Sequence, residues 1–180
     1  MEITIVTTNS GNLAIPIELV FWGVVAAYVV HILEESILGE VFVEKVRKRF
    51  WPEYSWRKFF GFNTILLCLN IAAILIYTTI GGGWIIFPLA LTFERIFNGL
   101  WHLIETVVTR KYSSGLLASF LTWILGYLII RYSFLKGEIS ESQLVIAVVI
   151  GLLVTVAMFV SLLNVAKLTK RQTKTGSDWT

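Results

Sequence analysis

The fold class of this chain is decided by the stretch AIPIELVFWGVVAAYVVHILEESIL, residues 14–38. It is apolar over most of its length and long enough to cross a lipid bilayer as one helix. Charged groups in such a segment are costly and usually have a pairing or functional reason, and here His31, Glu34 and Glu35 lie near its end. The stretch therefore predicts a retained membrane helix that carries a polar cluster.

The composition of the whole chain also indicates an integral membrane protein. Hydrophobic residues make up 56% of the 180 residues, and the mean hydropathy is +0.76, which is more than one soluble core could bury. The net charge of +3 does not point to nucleic acid, because most Lys and Arg lie between apolar runs, where orientation and anionic lipid explain them. The single cysteine, Cys68, excludes an intrachain disulfide.

The apolar runs predict an all-α, polytopic membrane bundle that forms one domain over residues 1–166. Five spanning helices are expected, at about residues 14–38, 60–79, 84–108, 115–134 and 143–166.

Two further segments are expected on the cytoplasmic side of this domain. Between the first two spans, Phe42, Val46 and Phe50 recur at helical spacing among basic residues, which predicts an amphipathic helix at about residues 40–50 along the membrane surface. Residues 167–180 are polar and are expected to form a short disordered tail.

The basic residues in the connections predict the orientation of the bundle. Twelve lie in the first connection, after the third span and after the fifth, whereas the other side holds only Arg131 and Lys136. The positive-inside rule then places the chain in the cell membrane with an external N-terminus and a cytoplasmic C-terminus.

The charged helices share a local pattern. The first contains His31-x-x-Glu34 and the third contains His102-x-x-Glu105, and residues three apart lie on one face of a helix. At 1.5 Å per residue, both histidines lie about 10 Å from the cytoplasmic ends of their helices, at matching depth. Glu94 and Asn98 continue the stripe of His102 on the third helix, with Arg95 beside it.

If the stripe faces the first helix, a buried cluster forms whose carboxylates outnumber its cations. Such a cluster requires bound protons or bound cations. Two imidazoles and several carboxylates suit a divalent transition metal such as iron, manganese or zinc. A metal-free site for acid-base or proton chemistry and a purely structural network remain open alternatives. The candidate metal ligands are His31, Glu34, Glu35, His102 and Glu105.

Three blocks of residues resemble those of the HXXEE-motif family of small prokaryotic membrane proteins. They are His31-x-x-Glu34-Glu35, Asn98-x-x-x-His102 and Tyr112-Ser-Ser-Gly115, and the resemblance covers roughly residues 20–130. It implies a multi-helix membrane domain with these side chains as its defining polar residues, but it implies no activity. The family's last block is Tyr-x-Pro-Gly, and this chain has Ser114 at the proline position.

The leading functional hypothesis is a membrane enzyme that acts on a lipid or another apolar small molecule. The five candidate ligands would hold the metal or share the acid-base work, with Glu34 and Glu35 as catalytic carboxylates. Asn98 would orient His102, and Tyr112 would donate a hydrogen bond at the cytoplasmic mouth.

Two alternatives belong to other classes of protein. One is a carrier or sensor of metal ions or protons, which at this size would be expected to act as a homo-oligomer. The other is a structural subunit in which the cluster locks the first helix to the third. Membrane lipids are the expected partners in every case, and nucleic acid is not expected.

Overall fold

The computed structural model of the chain describes residues 15–38 and 41–176. This part contains six α-helices, one short 3₁₀ helix at Gly82–Ile85 and no strand, so the predicted all-α class is confirmed. The helices are α1 (Ile17–Ile37), α2 (Phe42–Arg49), α3 (Trp56–Ile80), α4 (Ile86–Thr109), α5 (Leu116–Lys136) and α6 (Glu141–Gly176).

Four of these helices have the length and apolarity needed to cross a membrane. They are α1, α3, α5 and the Glu141–Ser161 part of α6, and they indicate a membrane protein. The remaining predicted span corresponds to α4, which is 24 residues long but does not meet the same measure of apolarity, because Glu94, Arg95 and His102 lie within it. The orientation of the bundle in the membrane stays a prediction.

Helix α4 holds the centre of the bundle. It packs most extensively against α6, and it also contacts α5, α3 and α1, while α1 packs against α5. The crossing of α4 and α6 is close, since a Cβ atom on Gly151 would lie 2.6 Å from the carbonyl oxygen of Ala90. The polar stripe of α4 therefore lies among the apolar helices α1, α3, α5 and α6.

Helix α2 matches the predicted amphipathic segment. Val43 and Val46 are buried in a small apolar cluster with Trp51, Tyr54 and Phe59, whereas Arg47, Lys48 and Arg49 are exposed. Phe42 and Phe50, which the spacing placed on the apolar face, are partly buried and pack against the same cluster. The helix thus docks on the protein with its apolar side and carries basic residues on its exposed side.

Two helix ends differ from the prediction for local chemical reasons. Helix α3 begins at Trp56 rather than near residue 60, because the Ser55 side chain accepts a hydrogen bond from the N–H of Lys58 and caps the helix. Helix α6 continues to Gly176, so residues 167–176 are helical where a disordered tail was expected. No glycine or proline interrupts the sequence between Gly151 and Gly176. The last four residues of the predicted tail lie outside the described residues.

Candidate metal centre

Helices α1 and α4 bring three buried ionisable side chains together. His31 and Glu35 lie one turn apart on α1, and the Nε2 atom of His31 is 3.6 Å from Oε1 of Glu35. His102 of α4 approaches the same carboxylate oxygen, with its Nε2 atom 3.5 Å away. The two imidazole centroids are 5.0 Å apart, which confirms the predicted match in depth. One ligand atom from each residue lies within 4.8 Å of the other two, a spacing that a single metal ion could bridge.

The orientation of His102 is fixed by a hydrogen-bond chain behind the ring. Its Nδ1 atom lies 3.0 Å from Oγ of Ser113, and the Ser113 hydroxyl donates to Oε2 of Glu105 at 2.5 Å. Because the single hydroxyl proton is used on Glu105, Ser113 accepts from the Nδ1–H of His102. In the neutral ring the lone pair is then on Nε2, which faces Glu35 and has no hydrogen-bond partner among the described residues. A lone pair that faces a carboxylate requires a proton or a cation between them.

Gly115 allows α5 to approach both imidazoles. A Cβ atom at this position would lie 2.7 Å from Cε1 of His31 and 2.8 Å from Nε2 of His102. The residue also has a φ of +105°, which only glycine adopts easily. The glycine of the Tyr112-Ser-Ser-Gly115 block therefore leaves the space in which the two rings meet.

Glu34 points away from this cluster and caps the start of α5. Its carboxylate accepts the backbone N–H groups of Gly115, Leu117 and Ala118 at 2.8, 3.0 and 2.8 Å. The Tyr112 hydroxyl donates to the same carboxylate. These four donors satisfy the charge of Glu34 at a helix N-terminus, where negative charge is favourable. The geometry joins Glu34 to α5 rather than to the two histidines.

Glu105 is also separate from the three converging side chains. It pairs with Lys45 at 2.6 Å and with Arg49 at 2.7 Å, both on α2. The Ser113 hydroxyl lies between Glu105 and His102, so Glu105 is linked to the imidazole through this hydroxyl. Its position suits an outer group that orients a ligand, an arrangement common around metal-binding histidines.

The remaining charges of the interior are paired. Both carboxylate oxygens of Glu94 accept hydrogen bonds from the guanidinium of Arg95, which also lies 4.2 Å from the centroid of the Tyr28 ring. In contrast, no Lys or Arg of the described residues lies within ion-pair distance of Glu35. Glu35 is therefore the carboxylate whose charge depends on the two imidazoles or on a bound cation.

A cavity of about 350 Å³ opens beside the three side chains. Its polar lining consists of these residues: His31, Glu35, Asn63, Arg95, Asn98, His102 and Ser161. The rest of the wall is mostly apolar and comes from α2, the connection after it, α3, α4 and α6, with the following residues: Phe42, Tyr54, Phe62, Leu66, Trp101, Val154, Ala157, Met158 and Phe159.

Asn98 faces this cavity and makes no hydrogen bond to His102 in the described part of the chain. Its Oδ1 atom is buried and has no hydrogen-bond partner in the described part of the chain. Ser113 holds the imidazole instead, and the sequence reasoning did not single it out. The signal was present, since Ser113 lies inside the Tyr112-Ser-Ser-Gly115 block.

Tyr112 lies between α4 and α5 and acts as a hydrogen-bond donor at the edge of the site, as its hydroxyl bonds to Glu34. Burial, together with this hydrogen bond to Glu34, raises the pKa of Tyr112 from 10.0 to about 12. The phenol therefore keeps its proton at neutral pH.

A comparison with known protein families finds a match over the part of the chain that contains these residues. The model described as "Protein of unknown function with HXXEE motif" matches residues 22–130, more than half of the chain. The chain belongs to this family. The HXXEE motif itself corresponds to His31, Glu34 and Glu35, and the matched range also includes His102, Ser113 and Gly115. No curated protein and no solved structure matches the chain.

Within the HXXEE motif the structure thus separates two kinds of residue. His31 and Glu35 face His102 and the cavity. Glu34 holds the first turn of α5, which in turn brings Gly115 against the two rings. The five residues of the motif therefore contain two candidate metal ligands, His31 and Glu35, and one residue, Glu34, that anchors the start of α5.

Proposed function

We propose that this chain is a membrane-embedded metalloprotein in which His31, Glu35 and His102 bind one divalent transition metal ion. The observation that carries the proposal is the convergence of two imidazole Nε2 atoms on one carboxylate that has no cationic partner among the described residues. A divalent cation at this point would satisfy both the buried, unpaired lone pair of His102 and the charge of Glu35.

The donor set fits the metal ions that the sequence suggested. Two nitrogen ligands and one oxygen ligand suit iron, manganese or zinc, and sites with three protein ligands leave positions open for other molecules. Glu34 and Glu105 are engaged elsewhere, so we assign them to the outer shell of the site. Ser113 and Glu105 would set the tautomer and the direction of the His102 ligand.

We further propose that the centre is enzymatic and acts on a lipid or another apolar small molecule. The cavity beside it is mostly apolar, and its histidine and charged side chains lie together on α1 and α4. Phe62, Trp101 and Ala157 line the cavity and are exposed on the outer surface of the bundle, where the bilayer would lie. An apolar molecule could therefore enter from the membrane.

The residues around the cavity have distinct parts in this proposal. A bound divalent ion would supply Lewis-acid polarisation of a substrate oxygen. The free Oδ1 atom of Asn98 would accept a hydrogen bond from the substrate and fix its position. Arg95, held in place by Glu94 and Tyr28, would keep a positive charge at the same wall. The apolar wall would exclude water from the reacting group.

One observation favours proton handling as a second candidate function. A continuous chain of polar groups runs from Lys45 and Glu105 through Ser113 to His102 and Glu35. Intramembrane chains of this type serve as proton relays in other proteins. In this candidate Glu35 and the imidazoles would hold protons in place of a metal ion.

Elemental analysis of the detergent-purified chain distinguishes the two candidates. We expect near-stoichiometric iron, manganese or zinc in the wild type and its loss in His31→Ala/His102→Ala. Asn70→Ala is the control, because Asn70 is also buried and polar but bonds only to the Leu66 carbonyl of its own helix. If the double variant fails to fold, the wild type is tested by chelation and subsequent metal addition. We then expect its melting temperature to fall on chelation and to rise again when metal is added. Absence of metal in the wild type together with no response to added metal would overturn the metalloprotein and favour the relay.

A further inference from the structure

The cavity beside the candidate metal centre lies over α4, in a gap between α3 and α6. Both helices pack against α4, whereas they make little contact with each other in the described part of the chain. Phe62 and Leu66 line the gap from α3, and Val154 and Met158 line it from α6. Phe62 and Ala157 also lie on the outer surface of the bundle. A ligand can therefore keep one end at the metal centre and leave the other end in the bilayer.

The volume of the cavity fits one apolar chain rather than two. An apolar protein cavity of about 150 Å³ holds one benzene molecule, so about 350 Å³ holds about fourteen non-hydrogen atoms. This is the size of a single-chain compound such as dodecanol. A phospholipid with two acyl chains is several times larger, so only a part of it would fit. The space therefore favours a ligand with one chain.

The charged side chains of the cavity favour a ligand with an uncharged head group. Arg95 is the only Lys or Arg among the lining residues that the structure describes. Its guanidinium donates to both carboxylate oxygens of Glu94 and lies on the Tyr28 ring, so its charge is already balanced. A phosphate or carboxylate head group would therefore find no unpaired cationic side chain in this wall.

The Asn98 amide presents an unused hydrogen-bond acceptor to the cavity. Its Oδ1 atom is buried and has no partner among the described residues. The other amide of the wall, Asn63, is satisfied, because it accepts from Tyr28 and donates to the Phe59 carbonyl. An unpaired buried acceptor needs a donor from the ligand, and a phosphodiester or an ionised carboxylate has no proton to donate. A hydroxyl supplies this proton, and its oxygen can face His102, one turn further along the same side of α4.

We propose that this cavity binds an uncharged, single-chain alcohol, with its hydroxyl at Asn98 and its chain between α3 and α6. The inference rests on the proposed function, because it names the substrate class of the same centre. The hydroxyl donates its proton to Oδ1 of Asn98 and turns its lone pairs towards the candidate metal centre. The chain lies along the apolar wall and leaves the cavity past Phe62.

Photolabelling of the full chain in phosphatidylcholine nanodiscs tests this proposal. The probe is dodecanol with a diazirine in mid-chain, and the labelled residues are located by mass spectrometry. Dodecanol, dodecane and sodium dodecanoate are added separately as competitors.

Two variants test the site, and each has a matched control. Ala157→Trp places a large side chain in the cavity, and Val156→Trp is its control, because Val156 is an exposed residue of the same helix that does not line the cavity. Asn98→Leu removes the acceptor at nearly the same side-chain volume. Asn70→Leu is its control, because Asn70 lies outside the cavity and bonds only to the Leu66 carbonyl of its own helix.

We expect the wild type to be labelled on the parts of α3 and α6 that line the cavity, and dodecanol to compete better than dodecane or dodecanoate. Labelling should be largely lost in Ala157→Trp and unchanged in Val156→Trp. Dodecanol should bind Asn98→Leu about tenfold more weakly than the wild type, the effect of about one hydrogen bond, and Asn70→Leu should match the wild type.

Three results would overturn the proposal. Labelling that is unchanged in Ala157→Trp would exclude the cavity as the site. Competition by dodecane or dodecanoate as strong as that by dodecanol would exclude an alcohol, and so would equal affinity of Asn98→Leu and the wild type. The metal content of the same nanodiscs separates this inference from the proposed function. Bound metal without alcohol binding would contradict only the substrate class, whereas selective alcohol binding by a chain without metal would contradict only the metalloprotein.

Discussion

Glu34 and Glu35 are adjacent in the sequence, but their carboxylates make different contacts. Successive residues on an α-helix point about 100° apart, so the two side chains cannot share one small site. Glu35 lies between His31 and His102, and Glu34 accepts the N–H groups at the start of α5. The HXXEE pattern alone could not separate these roles, because the partner of Glu34 is backbone some 80 residues away and leaves no trace in side-chain spacing.

Removal of the Ser113 hydroxyl tests the orientation of His102. Ser113→Ala leaves the Nδ1–H of His102 without its acceptor, while Glu105 keeps Lys45 and Arg49. We expect the metal affinity to fall about 10- to 100-fold with the fold retained, and Ser113→Thr to restore it. Ser133→Ala is the control, because the Ser133 Oγ atom is buried without a hydrogen-bond partner among the described residues. Unchanged metal affinity in Ser113→Ala would show that the hydroxyl does not position the ring.

A methyl group at Gly115 tests the packing of the rings against α5. Gly115→Ala places Cβ against both imidazoles and strains a backbone with φ +105°, so we expect a loss of about 2–5 kcal/mol in the free energy of unfolding. Gly137→Ala is the matched control: its φ of +67° is also strained, but nothing lies within 4 Å of the added Cβ. Thermal unfolding in detergent should show about 1–2 kcal/mol for the control. Equal losses in both variants would contradict the close contact.

At the scale of secondary-structure elements, the apolar runs predicted the helices well because length and apolarity are local properties. The predicted start of α3 was late because apolarity begins near residue 60, whereas the helix begins four residues earlier, at the Ser55 cap. The predicted end of α6 was early because polarity was taken as a sign of disorder, although polar residues without glycine or proline continue a helix. The docking of α2 through Lys45 and Arg49 onto Glu105 joins distant segments and could not be read from spacing.

The link between Tyr112 and Glu34 joins the start of α5 to α1 and depends on pH. The pKa of Tyr112 is about 12 in the folded chain, whereas an unperturbed tyrosine, as in the unfolded chain, has a pKa of 10.0. The folded state therefore favours the protonated phenol. The contribution of the Tyr112–Glu34 link to the free energy of unfolding is complete below pH 10 and is lost as the pH rises through about 12. Tyr112→Phe should therefore be less stable than the wild type at pH 8, with a gap that narrows in alkali. Tyr127→Phe, a change at an exposed tyrosine of α5, should leave the melting curves unchanged between pH 8 and 11. A gap that is constant with pH would contradict the raised pKa.

At the scale of the whole molecule, the pairing of α1 with α4 could be anticipated from depth. The two His-x-x-Glu patterns lie at similar distances from their helix ends, and the rings meet at 5.0 Å. The identity of the third ligand could not be anticipated, because three glutamates were candidates and only the packing of α2 and α5 removes Glu105 and Glu34 from the cluster. The polar residues of α4, which lower its apolarity, identify it as the helix that other helices surround.

The orientation in the membrane is tested by labelling of single cysteines. Cys68 is free and exposed and is first replaced by alanine. Glu53 and Ser140 are exposed positions in connections predicted on opposite sides. With an impermeant maleimide on intact cells, we expect Ser140→Cys to react and Glu53→Cys to react only after permeabilisation. The reverse pattern would contradict the predicted orientation.

The central claim is that Glu35, and not Glu34, shares a metal ion with the two histidines. The most direct test is the metal content per folded chain of Glu35→Gln and Glu34→Gln, purified beside the wild type and measured by elemental analysis. The account predicts that Glu35→Gln loses its iron, manganese or zinc and that its melting temperature no longer rises when metal is added. Glu34→Gln should keep the metal but melt earlier, by about 3 kcal/mol in the free energy of unfolding, because the cap of α5 is impaired. Equal metal in both variants, or loss of metal only in Glu34→Gln, would contradict the account.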